Sequence, residues 1–307
     1  MKILITGATG FLGSNIVKRL VENNYIVYAT RRNTSSLDKC FQIKDRINWI
    51  NTDESDWKEK IEQIKPEQLI HAAWGAVGAG ERNNWEIQLN NFWLSKEYFD
   101  IAKKCNIKKV IALGSQAEYG IHDLPVNESS TQNPNEAYGA VKNFTVNYLR
   151  NLFGGSNTAW YWLRVFSVFG EAENTNWLLP TVILKLLKNE SIQLTSCKQR
   201  YNYLHIDEFV DQILHVITCG KNNSGIYNIC NQKSIVLEDL LLNITKLLKV
   251  SPSLLQFGAI PQRSNQNMNI EGDNSKFLRT FSIDNNSHFD LRNGLLKTIE
   301  YYKIEHL

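Results

Sequence analysis

The chain has 307 residues, 43% of them hydrophobic, with 34 basic and 31 acidic side chains and a formal net charge of +3. That balance gives no footing for nucleic-acid binding through bulk charge, and no apolar run is long enough to span a bilayer. Five cysteines (Cys40, Cys105, Cys197, Cys219, Cys230) lack the spacing of a metal site or disulfide framework and point to a reduced cytoplasm. The opening Met-Lys-Ile-Leu-Ile reads as a strand rather than a signal peptide, because no extended apolar stretch or cleavage site follows.

In chain order, strands are expected at 2–6, 25–30, 48–52, 67–72, 109–114 and 159–165. Helices are expected near 13–23, 55–63, 85–104 and 136–152. This alternation is the pattern of a doubly wound parallel sheet. After Gly170 it loosens into helical stretches at Leu178–Asn189, Asp207–Thr218, Leu237–Leu248 and Leu291–Tyr302. The first strand runs into Gly7-Ala8-Thr9-Gly10-Phe11-Leu12-Gly13. A strand feeding a glycine turn at a helix start is an anion site, since free N–H groups and the helix dipole face a phosphate that glycine lets approach. Taken alone, the same spacing also serves plain strand-to-helix packing.

Two further segments carry chemistry. Tyr138 and Lys142 lie four residues apart, so on a helix they share a face. An ammonium beside a phenol favours the phenolate and would lower the Tyr138 pKa, making it a proton donor or acceptor for a ketone/carbinol pair. The plain alternative is an aromatic ring stacked on a lysine stem. Ser115, just past the apolar Val110-Ile111 strand, could present its hydroxyl to the same oxygen.

TGATGFLG at the start, His71-Ala72-Ala73, GSQAEYG around Ser115, YGAVK at Tyr138–Lys142, LRVFSVFG at Leu163–Gly170 and NYLHIDE from Asn202 occur in one order. So ordered, the chain resembles the extended short-chain dehydrogenase/reductase family, of NAD-dependent epimerase/dehydratase type, from end to end. The resemblance implies an α/β fold: a doubly wound Rossmann sheet over residues 1–168 and a smaller α/β substrate lobe over 169–307. Segments near 203–218 would return to the first domain. It also implies a homodimer through two long helices per subunit, a nucleotide-diphosphate sugar as partner, and neither nucleic acid nor membrane.

By the same resemblance, Gly7, Thr9, Gly10, Phe11, Leu12 and Gly13 would cradle the dinucleotide, with Ala72 and Ala73 beside them. Asp53 and Glu54 match the adenine-contacting pair, or are surface carboxylates. An acidic residue normally ends the second strand to take the ribose 2′-hydroxyl of NAD; here stand Arg31 and Arg32, followed by Ser35, which suit the 2′-phosphate of NADP(H) over NAD(H). Ser115 would polarise the reacting carbonyl, Tyr138 move the proton, and Lys142 tune Tyr138 and hold the ribose.

Gln116 and Ala117 stand where sugar 4,6-dehydratases carry an Asp-Glu pair, and Glu118, on an extended segment, would point the other way. That argues against dehydration. What remains is a 4-ketoreductase of a nucleotide-linked 4-keto-6-deoxy sugar, a 4-epimerase recycling NAD, or a dinucleotide sensor without turnover. The stretch from Gln256 to Met268 is similar to the CDP-paratose and CDP-abequose synthase subfamily. Substrate contacts implied by position are Trp74, Arg82, Ser115, Gln116, Ser167 (where relatives place an asparagine), Arg200 and Arg263. No metal is implied. His71 reads as a packed core residue and His205 as a structural one.

Overall fold

The computed structural model describes residues 1–78, 80–262, 266–283 and 290–306. In order these form β1 (Lys2–Thr6), α1 (Phe11–Glu22), β2 (Ile26–Arg31), β3 (Asn48–Asn51), α2 (Trp57–Ile64), β4 (Gln68–His71), α3 (Trp85–Lys104), β5 (Lys109–Ser115), α4 (Ala137–Phe153) and β6 (Ala159–Val165). There follow β7 (Val168–Phe169), α5 (Leu178–Leu187), β8 (Ile192–Gln193), β9 (Arg200–Tyr201), β10 (Leu204–His205), α6 (Ile206–Thr218) and β11 (Gly225–Ile229). The last are β12 (Ile235–Val236), α7 (Leu237–Leu248), β13 (Leu255–Gln256), β14 (Asn269–Ile270), α8 (Ser275–Phe281) and α9 (Leu291–His306). Short 3-10 turns span Asp38–Arg46, Gln116–Glu118 and Pro252–Leu254.

Two compact units divide the chain. The first takes in Met1–Gly120, Ser130–Val165 and Val210–Asn228. Its sheet has seven strands in the order β11-β6-β5-β4-β1-β2-β3, and β1 to β6 pair in parallel. Strands buried on both faces read as continuous apolar runs, as Ile3-Leu4-Ile5 and Val110–Leu113 do. Helices α2, α3 and α4 cover one face, where Trp57, Ile61, Phe99, Leu149 and Phe153 pack on Leu4, Leu69, Val110 and Trp162. Strand order reverses at β1, with β2 on one side and β4 on the other. In such sheets the crevice beyond the carboxyl ends of the strands at the reversal is where ligands bind. Lys109 is buried at the start of β5 and its ammonium donates to Val216 O, Ile217 O and Cys219 O at the end of α6.

The second unit comprises Ile121–Ser129, Phe166–Phe209 and Ile229–Leu307. Its core is built from α5, α7 and α9, with Val182, Ile183, Leu240, Leu241, Ile244, Leu295 and Tyr302 buried together. Small strand pairs edge it: β9 lies antiparallel to β12 and parallel to β14, and β13 runs parallel to β8.

Candidate active site

The glycine turn forms a close-approach cradle. Gly7 takes a left-handed φ of +70°, and a Cβ there would lie 2.6 Å from Ala73 N and 2.7 Å from Ala72 O. At Gly13 a Cβ would fall 2.1 Å from Gly7 O, so only glycine lets α1 start so near β1. Gly10 caps α1 with no side-chain hydrogen bond, and no acidic residue stands in the first turn. The helix therefore presents bare N–H groups and an uncompensated positive end, where a diphosphate fits. Thr9, Phe11 and Leu12 lie on this turn, as the sequence predicts.

Behind the cradle runs a row of hydrogen bonds. Ala73 N–H donates to Thr6 Oγ1 at 3.1 Å, and Thr6 Oγ1 lies 2.9 Å from His71 Nδ1. His71 Nε2 lies 2.9 Å from Ser95 Oγ, which donates to Asn91 O at 2.7 Å. Because the Ser95 hydrogen is spent, Nε2 must be the donor and Nδ1 the acceptor. Burial, then the Lys142 charge, pushes His71 down to about 3, so the ring is neutral.

The arginines stand at the end of β2, the strand paired with β1. Arg31 closes β2 half-buried, and its Nε is buried without a hydrogen-bond partner. An unspent guanidinium donor at this strand end fits a 2′-phosphate. Arg32 and Ser35 close a turn on each other: Arg32 N–H donates to Ser35 Oγ at 3.1 Å and Ser35 N–H to Arg32 O at 3.1 Å. Asp53 accepts Asn33 N–H at 2.7 Å, and Glu54 is ion-paired with Lys60. Both carboxylates thus brace local loops.

Ser115 ends β5, and Tyr138 and Lys142 lie in the first turns of α4. Tyr138 N–H donates to Arg82 O at 2.8 Å, and Ala137 N–H to Asn83 Oδ1 at 3.1 Å, so the 72–84 loop caps α4. Arg82 pairs with Glu136 at 2.7 Å, with its guanidinium carbon 4.5 Å from the Tyr138 ring centroid. Trp74 meets Tyr138 edge-on at 6.1 Å, and the Lys142 ammonium lies 3.6 Å from the Trp74 ring centroid. Trp74 Nε1 donates to Gln88 Oε1 at 2.8 Å, and Asn91 clasps both polar groups of Gly75. Gln116 opens the 3-10 turn beside Ser115.

The electrostatics differ from the sequence expectation. The Lys142 ammonium sits 5.9 Å from the Tyr138 ring centroid and donates to Leu113 O at 2.6 Å. Burial pushes the Tyr138 phenol above its ordinary value, while Ser115 hydrogen bonding and Arg82 draw it back. The lowered Tyr138 pKa expected from Lys142 is therefore not found; removal from water outweighs the Ser115 hydrogen bond and the Arg82 charge. Burial also pulls Lys142 down to about 7, against the opposing charge of Glu118.

Glu118 corrects a second expectation. It lies on a 3-10 turn, not an extended segment, and folds back under Ser115 in a capping box. Its Oε1 accepts Ser115 N–H and Trp162 Nε1–H, each at 2.8 Å, and its Oε2 accepts Arg164 Nε–H at 2.7 Å. Trp162 and Arg164 share a face of β6 because they are two apart. The signal was present in Ser115-x-x-Glu118, a capping-box spacing. The roles of Gln88, Asn91 and Ser95 were hidden by the apolar residues between them on α3.

Ser167 and Arg200 fall in the second unit. Ser167 O accepts Leu204 N–H at 2.9 Å. Arg200 spends Nε on Glu271 at 3.0 Å and Nη2 on Ser234 at 2.7 Å. Arg263 lies outside the described residues.

A glycine-cradled sheet reversal beside a Ser-Tyr-Lys cluster defines a dinucleotide-dependent enzyme class of Rossmann type. The sequence profile of the NAD dependent epimerase/dehydratase family matches residues 3–230, and the chain belongs to that family. It is 27% identical over 231 residues to a CDP-abequose synthase of Yersinia pseudotuberculosis, covering 74% of this chain and 76% of the relative. It is 25% identical over 283 residues to a dTDP-6-deoxy-L-talose 4-dehydrogenase (NAD(+)) of Aggregatibacter actinomycetemcomitans, covering 89% and 99%. The solved UDP-N-acetylglucosamine 4-epimerase from Methanobrevibacter ruminantium M1, in complex with UDP-N-acetylmuramic acid, shares the fold with a TM-score of 0.88. That comparison covers 99% of this chain and 98% of the other at 23% identity.

Proposed function

We propose that the protein reduces the 4-keto group of a nucleotide-diphospho-4-keto-6-deoxy sugar, with NADPH preferred over NADH. The observation that carries this reading is the locking of Glu118. With residues 116 and 117 uncharged and the Glu118 carboxylate held by Arg164 and Trp162, the cluster has, among the described residues, no acid free to eliminate water from a sugar. A neutral, buried Tyr138 suits proton donation to a carbonyl oxygen, and Ser115 would hold that oxygen. Lys142, freed from Trp74, would hold the ribose. The nicotinamide cofactor, when bound, supplies the hydride to the carbonyl carbon, and the ketone becomes a secondary alcohol. The Arg31 donor without a partner supports the 2′-phosphate preference.

A 4-epimerase retaining NAD is the second reading, since the same cluster serves it. Exposed Trp85, Leu89 and Trp93 on α3 and Phe144 on α4 support a homodimer through these helices. The test is loss of reduced-nicotinamide absorbance with nucleotide-linked 4-keto-6-deoxy sugars, NADPH and NADH in parallel. Stoichiometric loss, faster with NADPH, is expected. No cofactor loss with these ketones, together with interconversion of C4-hydroxyl nucleotide sugars in the presence of NAD, would overturn the reductase in favour of the epimerase.

A further inference from the structure

The ion pair between Glu118 and Arg164 is fully buried, with both side chains at 0% exposure. A buried pair is weak evidence for stability, because desolvation offsets the attraction. Its position directly behind Ser115 gives it another use. Both Glu118 oxygens act as acceptors, the hydrogen-bonding state of a carboxylate. One of the three donors is the Ser115 main chain itself, and in return Ser115 Oγ accepts Ala117 N–H at 3.1 Å. The turn so fixed is the surface on which α4 rests: a Cβ on Gly139 would lie 2.2 Å from Ala117 O. Gly114 makes room for the carboxylate, since a Cβ there would meet Trp162 Nε1 at 2.2 Å and Glu118 Oε1 at 2.6 Å.

We propose that Glu118 is a positioning residue: anchored by Arg164 and Trp162, its carboxylate fixes the Ser115 main chain against the Tyr138 helix. The inference rests on the reading of Tyr138 as proton donor. Charge adds to geometry, because Glu118 favours the protonated form of both Tyr138 and Lys142. The other groups facing this pair are Arg82 from the 72–84 loop, Glu136 at the start of α4, and His71 from β4. Arg164 lies against Tyr119, its guanidinium carbon 4.4 Å from that ring centroid.

The test is Glu118→Gln in the full chain, which keeps size but removes the charge and turns an amide toward Arg164. Glu118→Gln/Arg164→Met relieves the unpaired guanidinium should the single variant fail to fold. Turnover should fall about 100-fold, with the dissociation constant of NADPH unchanged within about twofold. Losing the charge lowers both the Tyr138 and the Lys142 pKa, so the alkaline limb of the rate should move down by about one pH unit. Tyr138 phenolate formation should shift likewise without substrate, read by ultraviolet difference titration against Tyr138→Phe. Trp162→Phe, which spares the ion pair, should lower turnover several-fold. Native turnover in Trp162→Phe, or a folded Glu118→Gln protein with an unmoved phenol titration, would overturn the proposal. If the native protein reduces no ketosugar, the reductase reading fails alone, and the phenol titration still decides the role of Glu118.

Discussion

The Lys142 ammonium faces the Trp74 ring at 3.6 Å while donating to the Leu113 carbonyl, and it does so almost wholly buried. A lysine stripped of water and given a π-face and one carbonyl is held ready to exchange partners, because neither contact replaces its full hydration. Under the proposed function the ribose hydroxyls would replace Trp74 as the partner of Lys142. Native indole fluorescence should change on NADPH binding, and Trp74→Leu should abolish most of that change. An unaltered signal in the native protein would show that Trp74 stays on Lys142.

Tyr138→Phe keeps the ring against Trp74 and Arg82 and removes the phenol proton. Turnover should drop by about 100-fold to 10,000-fold, as for loss of a general acid, with cofactor affinity nearly unchanged. Steady-state rates alongside nicotinamide fluorescence titration separate the two. Normal turnover would remove Tyr138 from proton transfer.

Arg31→Ala should raise the KM for NADPH about tenfold to a hundredfold, the range for losing charged hydrogen bonds. The KM for NADH should stay within about twofold. Equal losses with both cofactors would mean that Arg31 serves the strand end and not a 2′-phosphate.

Acid stability should depend on His71. Its folded pKa of about 3 lies below the unfolded value near 6.5, so only the unfolded chain takes up the proton on mild acidification. The contribution is complete above the unfolded pKa and is lost as pH falls from about 6.5 toward about 3, at up to about 1.4 kcal/mol per pH unit. Urea unfolding of native and His71→Gln protein across this window should give a shallower slope for the variant. Parallel slopes would assign the acid loss to other groups.

Trp93→Glu places a charge in the exposed apolar stripe of α3. Sedimentation should find native dimers and variant monomers. A native monomer would remove the proposed dimer face.

Six of the seven sheet strands were legible because parallel strands buried on both faces carry dense apolar runs, and β1 to β6 fall within a residue or two of expectation, whereas β11 was not foreseen. The glycine turn and the Tyr138–Lys142 pair were legible for the same local reason: chain neighbours define them. What sequence hid was long-range. Arg164 and Trp162 read as strand residues until β6 pairs with β5 and brings them over Glu118. The acidity of Tyr138 was misjudged because spacing reports a nearby cation but not the water that burial removes. Nor did spacing show the local partners of Asp53 and Glu54, which lie at Asn33 and Lys60.

The row from Ala73 through Thr6, His71 and Ser95 to Asn91 commits one proton per link and therefore admits a single direction. Reversing any member would set two donors or two acceptors face to face. The mouth of the cradle is thereby keyed by proton order as well as by packing.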